Sequence, residues 1–196
     1  MEVALSPALA IGLEWTSVAG NILFTYLIGR EVRAGWLFGF VASMIGVVLY
    51  AGAQAWLMGA LNGFYAAMGL YGWWTWGRVE VAERIRTMGS GEHALAIVVG
   101  GVATAVLFGA MKAMDLEGEH LWMEAFITAF ALIATWLMSR KVLENWIYWT
   151  VGDIVAVFYN HLIGFNGYVL LMVVYIVLAV VGFLRWRRQM QRPAQG

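Results

Sequence analysis

The 196-residue chain contains no cysteine, which excludes disulfides, thiolate metal sites and cysteine nucleophiles together. Proline occurs only at Pro7 and Pro193, so bending of the elements between them cannot rely on proline kinks. Charge is scarce as well, at 12% of residues against roughly 25% in an ordinary soluble domain. The twelve basic and twelve acidic residues cancel, so bulk charge points to no nucleic-acid partner. No serine stands in a nucleophile elbow and no glycine loop reads GxxxxGK[ST]. His93, His120 and His161 lack the HExxH spacing of a zinc site, and the only lysines, Lys112 and Lys141, fall at the ends of apolar runs, where no retinal would be held. No catalytic residue, metal or cofactor is expected, and an enzyme is the weakest function class. Met1 to Pro7 carry Glu2 and no Lys or Arg, so no cleaved signal peptide is expected.

What the chain has instead is apolar length. Hydrophobic residues make up 62% of it and its mean hydropathy is +0.75, as in an integral membrane protein. Runs of ~20 apolar residues, enough to cross the hydrocarbon, fall near Leu9 to Ile28, Trp36 to Ala53, Leu57 to Trp76, Ala94 to Ala113, Leu121 to Met138, Trp146 to Ile163 and Tyr168 to Leu184. Residues 14 to 78 align with 124 to 188 at a constant offset of 110, with 14 of 65 pairs identical, among them Glu14/Glu124, Arg30/Arg140, Trp36/Trp146, Tyr65/Tyr175, Gly72/Gly182, Trp76/Trp186 and Arg78/Arg188. Two copies of one unit follow. The expected plan is all-α, seven transmembrane helices in a 3+1+3 order: a first three-helix repeat at 1–78, a polar loop and linker helix at 79–120, a second repeat at 121–188 and a tail at 189–196. Four spans separate equivalent helices, so the repeats are expected to run parallel through the membrane.

Basic residues give the orientation. Arg30, Arg33, Arg78, Arg84, Arg86, Arg140, Lys141, Arg185, Arg187, Arg188 and Arg192 fall on one side of this plan and only Lys112 on the other. The positive-inside bias then puts the N-terminus outside and the C-terminus in the cytoplasm. Glycines in spans 2 and 3, Gly39, Gly46, Gly52, Gly59, Gly63, Gly69 and Gly72, are read mainly as close helix packing. The mixed charges between Arg78 and His93, among them Glu80, Glu83 and Glu92, are read as a solvated connection.

Asp153 is the polar residue that asks for a reason. A carboxylate this deep in a span costs roughly 2.5 to 3.5 kcal/mol unless it faces a cavity or a partner. Trp146, Trp149, Asp153 and Asn160 share one helical face and together suit a flat cationic ring; the competing reading pairs Asp153 with a loop cation and leaves the tryptophans as an interfacial belt. Asn62, Tyr65, Gly69, Trp73 and Trp76 form a second stripe in span 3, suited to an aromatic substrate with hydroxyls, and Ser43, at the position equivalent to Asp153, shares a face with Gly39 and Tyr50. Glu14 and Glu124 lie near the outer ends of equivalent spans, where a structural role outweighs proton coupling.

The segments Trp36-Leu-Phe-Gly39, Tyr71-Gly-Trp-Trp-Thr-Trp76, Arg140-Lys-Val-Leu-Glu-Asn-Trp146-Ile-Tyr-Trp149 and Gly182-Phe-Leu-Arg-Trp186 resemble the PnuC family of vitamin-precursor transporters over nearly the whole chain. The resemblance implies a SWEET-like fold, facilitated diffusion of nicotinamide riboside, and trapping of the imported substrate by a separate cytoplasmic kinase. Thiamine and riboflavin carriers belong to the same family. The chain departs from it at Leu37, where a proline is common, at Ala42 in place of an asparagine and at Asn62 in place of a glutamine. A changed amide pattern changes which hydroxyls a site can pair, and so which vitamin it accepts.

The expectation is therefore a facilitator of the bacterial inner membrane, surrounded by lipid and open to homo-oligomerisation. It would bind an aromatic vitamin precursor between the repeats and work by alternating access. In that expectation Trp146 and Trp149 cap the ring, Asp153 supplies counter-charge, Asn62, Ser43, Tyr65 and Asn160 hydrogen-bond polar groups, and Trp73 completes the wall. No span offers a central Arg or Lys to meet a phosphate, so the expected cargo is unphosphorylated. The runner-up class is a membrane subunit that binds a vitamin without moving it.

Overall fold

The computed structural model describes residues 6–52, 56–78, 85–116, 120–162 and 166–191. Glu2, Glu80, Glu83, Arg84, Arg192 and Pro193, and the span ends expected at Ala53 and Ile163, lie outside the described residues. Seven α-helices are found among the described residues: α1 Pro7–Gly29, α2 Gly35–Gly52, α3 Trp56–Thr75, α4 Ser90–Ala113, α5 Leu121–Ser139, α6 Asn145–Leu162 and α7 Asn166–Met190. Each covers one of the apolar runs to within a few residues. Five of the seven are long and apolar enough to cross a membrane: α1 from Ala8, α2, α4, α5 and α7 from Val169. The other two, α3 and α6, carry most of the candidate site residues, and their amides, tyrosines and tryptophans, with Asp153 in α6, dilute the apolar character.

The chain divides into two compact units, Met1–Glu83 and Arg84–Gly196. In the first, α1 packs on α2 and α2 on α3; in the second, α4 packs on α5, α5 on α6 and α6 on α7. α1 starts on the pattern Ser-Pro: the Ser6 hydroxyl accepts from the Leu9 amide at 3.4 Å while Pro7 occupies the first turn, where its missing N–H is no loss. α1 and α5 both end on a left-handed residue, Glu31 at φ 56° and Lys141 at φ 51°. In each case the two following amides return to the helix, Glu31 to the Ile28 carbonyl and Val32 to Leu27, Lys141 to Met138 and Val142 to Leu137, the Schellman pattern that satisfies the last carbonyls and reverses the chain.

The 110-residue repeat is visible at this level of detail. α2 and α6 begin and end at equivalent positions, α1 and α5 end at Gly29 and Ser139, and α3 and α7 begin at Trp56 and Asn166. Trp36 and Trp146 are each about 1% exposed, and each stands edge-on to a second indole shared by the two copies: Trp36 to Trp76 at 5.6 Å and 83°, Trp146 to Trp186 at 5.4 Å and 82°. Each also lies flush on a glycine. A Cβ on Gly182 would stand 2.7 Å from the Trp146 ring, and one on Gly72 would overlap the Trp36 ring, so only glycine admits the indole at either crossing. Arg30 lies over Tyr26 at 4.9 Å and Arg140 over Trp136 at 5.6 Å, again at equivalent positions.

α4 has no equivalent. Its approach is fastened to the loop between α5 and α6 by one rung of parallel backbone pairing, in which the Arg86 amide donates to the Lys141 carbonyl at 3.1 Å and the Leu143 amide to the Arg86 carbonyl at 2.8 Å. The Glu144 carboxylate accepts from the Met88 amide at 3.0 Å, and Glu92 closes the turn by pairing with Arg86 at 2.8 Å. Farther along, Phe130 of α5 seats its ring in the notch at Gly100, and the His93, Tyr148 and Phe130 rings stack in series.

Candidate functional site

In the first unit, the backbone of Gly46 makes room for Asn62: a Cβ on Gly46 would collide with the Asn62 carboxamide, so α2 and α3 touch through that amide. Ser43, 4% exposed, stands one turn before Gly46 on the same face, and Tyr65 follows Asn62 by one turn on α3. Ser43, Asn62 and Tyr65 thus occupy the facing surfaces of α2 and α3. Trp73 is separated from them in use. The Arg33 guanidinium lies 3.9 Å over its ring and donates from Nε to its carbonyl at 2.6 Å, a cation–π contact that occupies one indole face. Ala42, the position where the family resemblance led us to expect an amide, is turned to α1: it abuts Gly20, and its carbonyl accepts from the Ser17 hydroxyl at 3.0 Å.

In the second unit, Asp153 is 8% exposed and has no hydrogen bond or ion pair among the described residues. The loop-cation alternative for Asp153 thus finds no partner among them. Tyr175 of α7, the repeat partner of Tyr65, lies within electrostatic reach of the carboxylate. Sequence reading passed Tyr175 over although it chose Tyr65, and the offset of 110 was the signal that would have found it. Asn160 uses its Nδ2 on the Ala156 carbonyl one turn back, at 2.7 Å.

The two tryptophans read together from sequence have separate surroundings. Trp146 is enclosed by Trp186 and Gly182, so its ring is held in helix packing. Trp149 is half-buried, packs on the cluster that includes Ala134 and Tyr148, and keeps a buried Nε1–H without a hydrogen-bond partner among the described residues. Its repeat equivalent is Gly39, whose notch is filled by Phe24, and the equivalent of Phe24 is Ala134. Bulk has changed sides of the helix pair: ring on α1 and glycine on α2 in the first copy, alanine on α5 and ring on α6 in the second. Glu124 is also engaged, since Tyr159 donates to it at 2.5 Å, whereas Glu14 is exposed.

Comparison with known proteins converges on one family. The profile of the nicotinamide mononucleotide transporter family matches residues 11–188. A riboflavin/roseoflavin transporter, RibM of Streptomyces davaonensis, is 28% identical over 193 residues, covering 92% of this chain and 88% of its own. The nicotinamide riboside transporter PnuC of Escherichia coli is 23% identical, covering 89% of this chain and 85% of its own. Among solved structures, the crystal structure of a vitamin B3 transporter PnuC superposes with a TM-score of 0.74 at 18% identity, over 92% of this chain and 82% of that one, which establishes a common fold. A chain of apolar helices in which each copy of the repeat holds its own tryptophan–glycine crossing, matched from residue 11 to residue 188, belongs to the PnuC family, the nicotinamide mononucleotide transporters, and is a multi-pass vitamin-precursor transporter of the bacterial inner membrane.

Proposed function

We propose that this protein is a facilitator for nicotinamide riboside. The observation that carries this reading is the Asp153 carboxylate, buried on α6 and without a cationic partner among the described residues. A carboxylate is retained at such a place when something positive visits it, and the pyridinium ring of nicotinamide riboside is a flat cation of that kind. Asp153 supplies the counter-charge, with Tyr175 beside it and the exposed part of Trp149 as the aromatic surface. Ser43, Asn62, Tyr65 and Asn160 are the groups proposed for substrate hydroxyls and amide. Trp146 and Trp73 are given supporting roles behind these groups, since one ring is packed on Trp186 and the other covered by Arg33. The riboside is preferred to its mononucleotide because no described span carries a central Arg or Lys for a phosphate.

The helices are proposed to form a 3+1+3 arrangement of parallel repeats, supported by the equivalent helix boundaries and by the side to which the basic residues fall. That arrangement puts the N-terminus outside and the C-terminus in the cytoplasm. Transport by alternating access is downhill, with a cytoplasmic kinase trapping the product. A second reading, riboflavin, is favoured by the similarity to RibM across nearly the full length.

Calorimetric titration of the purified protein with nicotinamide riboside, thiamine and riboflavin separates these readings. Nicotinamide riboside should bind, and Asp153→Asn should weaken it about tenfold or more while the variant still purifies as a folded species. Binding of riboflavin alone, or unchanged riboside affinity in Asp153→Asn, would refute the counter-charge reading. Uptake into liposomes then distinguishes a carrier from a subunit that only binds.

A further inference from the structure

Residues 71–78, at and just past the end of α3, are equivalent to residues 181–188 of α7, which continues to Met190, and the two stretches treat their arginines differently. Just past α3, Arg78 lies 3.6 Å over the Trp74 ring, and Trp74 in turn leans on Tyr71 at 6.2 Å, so the charge rests on an aromatic ladder built into the end of the helix. In α7 the corresponding ladder is gone. Val181 stands for Tyr71, Leu184 for Trp74, and Arg185 replaces Thr75, whose hydroxyl in α3 bonds the Gly72 carbonyl. Arg185 and Arg188 have no hydrogen bond, ion pair or ring contact among the described residues, and both are exposed.

A cavity of about 510 Å3 opens beside this part of the helix, and the described residues that line it are Val181, Leu184, Arg185, Arg188 and Gln189. The lining follows the helical repeat, so two guanidiniums and an amide lie beyond a strip of exposed aliphatic side chains on one face. Membrane-spanning α7 passes here from apolar residues into the basic segment that ends it, which is the level of lipid headgroups. Arginine pairs with a phosphate diester through parallel N–H bonds, and the valine and leucine below offer a surface to the first part of an acyl chain. A soluble phosphate ester would leave that aliphatic strip unused.

We propose that this face of α7 is a binding site for an anionic phospholipid, with Arg185 and Arg188 on the headgroup phosphate, Gln189 at its edge, and Val181 and Leu184 along the chain. The site arises from loss of the aromatic ladder in the second copy and does not depend on which vitamin is carried.

Native mass spectrometry of the full-length protein in detergent, titrated with phosphatidylglycerol or phosphatidylcholine, tests it. Phosphatidylglycerol should be retained preferentially. The double variant Arg185→Gln/Arg188→Gln should weaken it about tenfold or more, since each basic residue contributes on the order of a fivefold factor at an anionic surface, while Arg78→Gln should leave it unchanged. Leu184→Trp gives Arg188 the indole that Trp74 gives Arg78, without removing a charge, and should weaken retention several-fold, which keeps the test usable if the double variant fails to fold. Equal retention of the two lipids, unchanged phosphatidylglycerol binding in the double variant or in Leu184→Trp, or displacement of the lipid by millimolar inorganic phosphate would overturn the proposal, the last by showing a site for free phosphate.

Discussion

The two copies of the repeat agree in their joints and differ in their middles. Both ends of α2 and α6, the ends of α1 and α5, the starts of α3 and α7, left-handed residues at 31 and 141, arginines over aromatic rings at 30 and 140, and indoles seated on Gly72 and Gly182 are common to both. Between those joints the correspondence dissolves into Ser43 against Asp153, Gly39 against Trp149, Asn62 against Met172 and Tyr50 against Asn160. Geometry that reverses the chain and sets helix separation tolerates little, because a misplaced ring or an unsatisfied carbonyl propagates along the whole element. Interior positions can diverge as long as volume is conserved across a helix pair, and the exchange of Phe24/Gly39 for Ala134/Trp149 does so.

That exchange offers the strongest experiment. Trp149→Gly removes the ring without a replacement and should lower unfolding free energy by about 3 kcal/mol, read by denaturant unfolding in detergent. Adding Ala134→Phe should recover a large part of the loss. A double variant no more stable than Trp149→Gly would show that the two helix pairs are not interchangeable. Next in size are Gly72→Ala and Gly182→Ala, each expected to cost about 1–3 kcal/mol by forcing the indole off its seat. Similar losses would establish that both joints matter equally, and a loss in one alone would break the symmetry. Tyr159→Phe deletes the hydrogen bond to Glu124 and should cost about 1 kcal/mol, whereas Glu14→Gln, at the exposed equivalent of Glu124, should change stability by less than about 0.5 kcal/mol. The smallest effect is a gain. Asp115, which ends α4 at φ 50°, is the third left-handed residue, and Asp115→Gly should stabilise by up to about 1 kcal/mol through relief of the Cβ contact.

Much of the architecture was legible in the residues, since apolar length and the 110-residue offset anticipated all seven helices to within a few residues. The joints were legible only as identities: Trp36/Trp146 and Gly72/Gly182 stood out as recurring residues, but that they face each other in pairs required coordinates. The site was less legible, for a physical reason. A helical stripe gives a residue's direction and leaves open whether the space there is empty or filled. Trp146 and Trp149 share a stripe, yet Trp146 is packed on Trp186 and Trp149 compensates for Ala134. Trp73 was read as available because no sequence spacing connects it to Arg33, forty residues earlier. Asp153 was found correctly as a buried carboxylate because burial within an apolar run is itself a sequence property.

The single backbone rung between Arg86 and Val142 has a consequence for how this protein can change over generations. Its two hydrogen bonds are made by main-chain amides and carbonyls, so substitutions at the exposed Arg86 and Thr87 can accumulate without removing either bond, provided none is proline at 86. The attachment of α4 to the second copy is therefore inherited as a shape, and drift in its sequence is a poor guide to whether it has been lost.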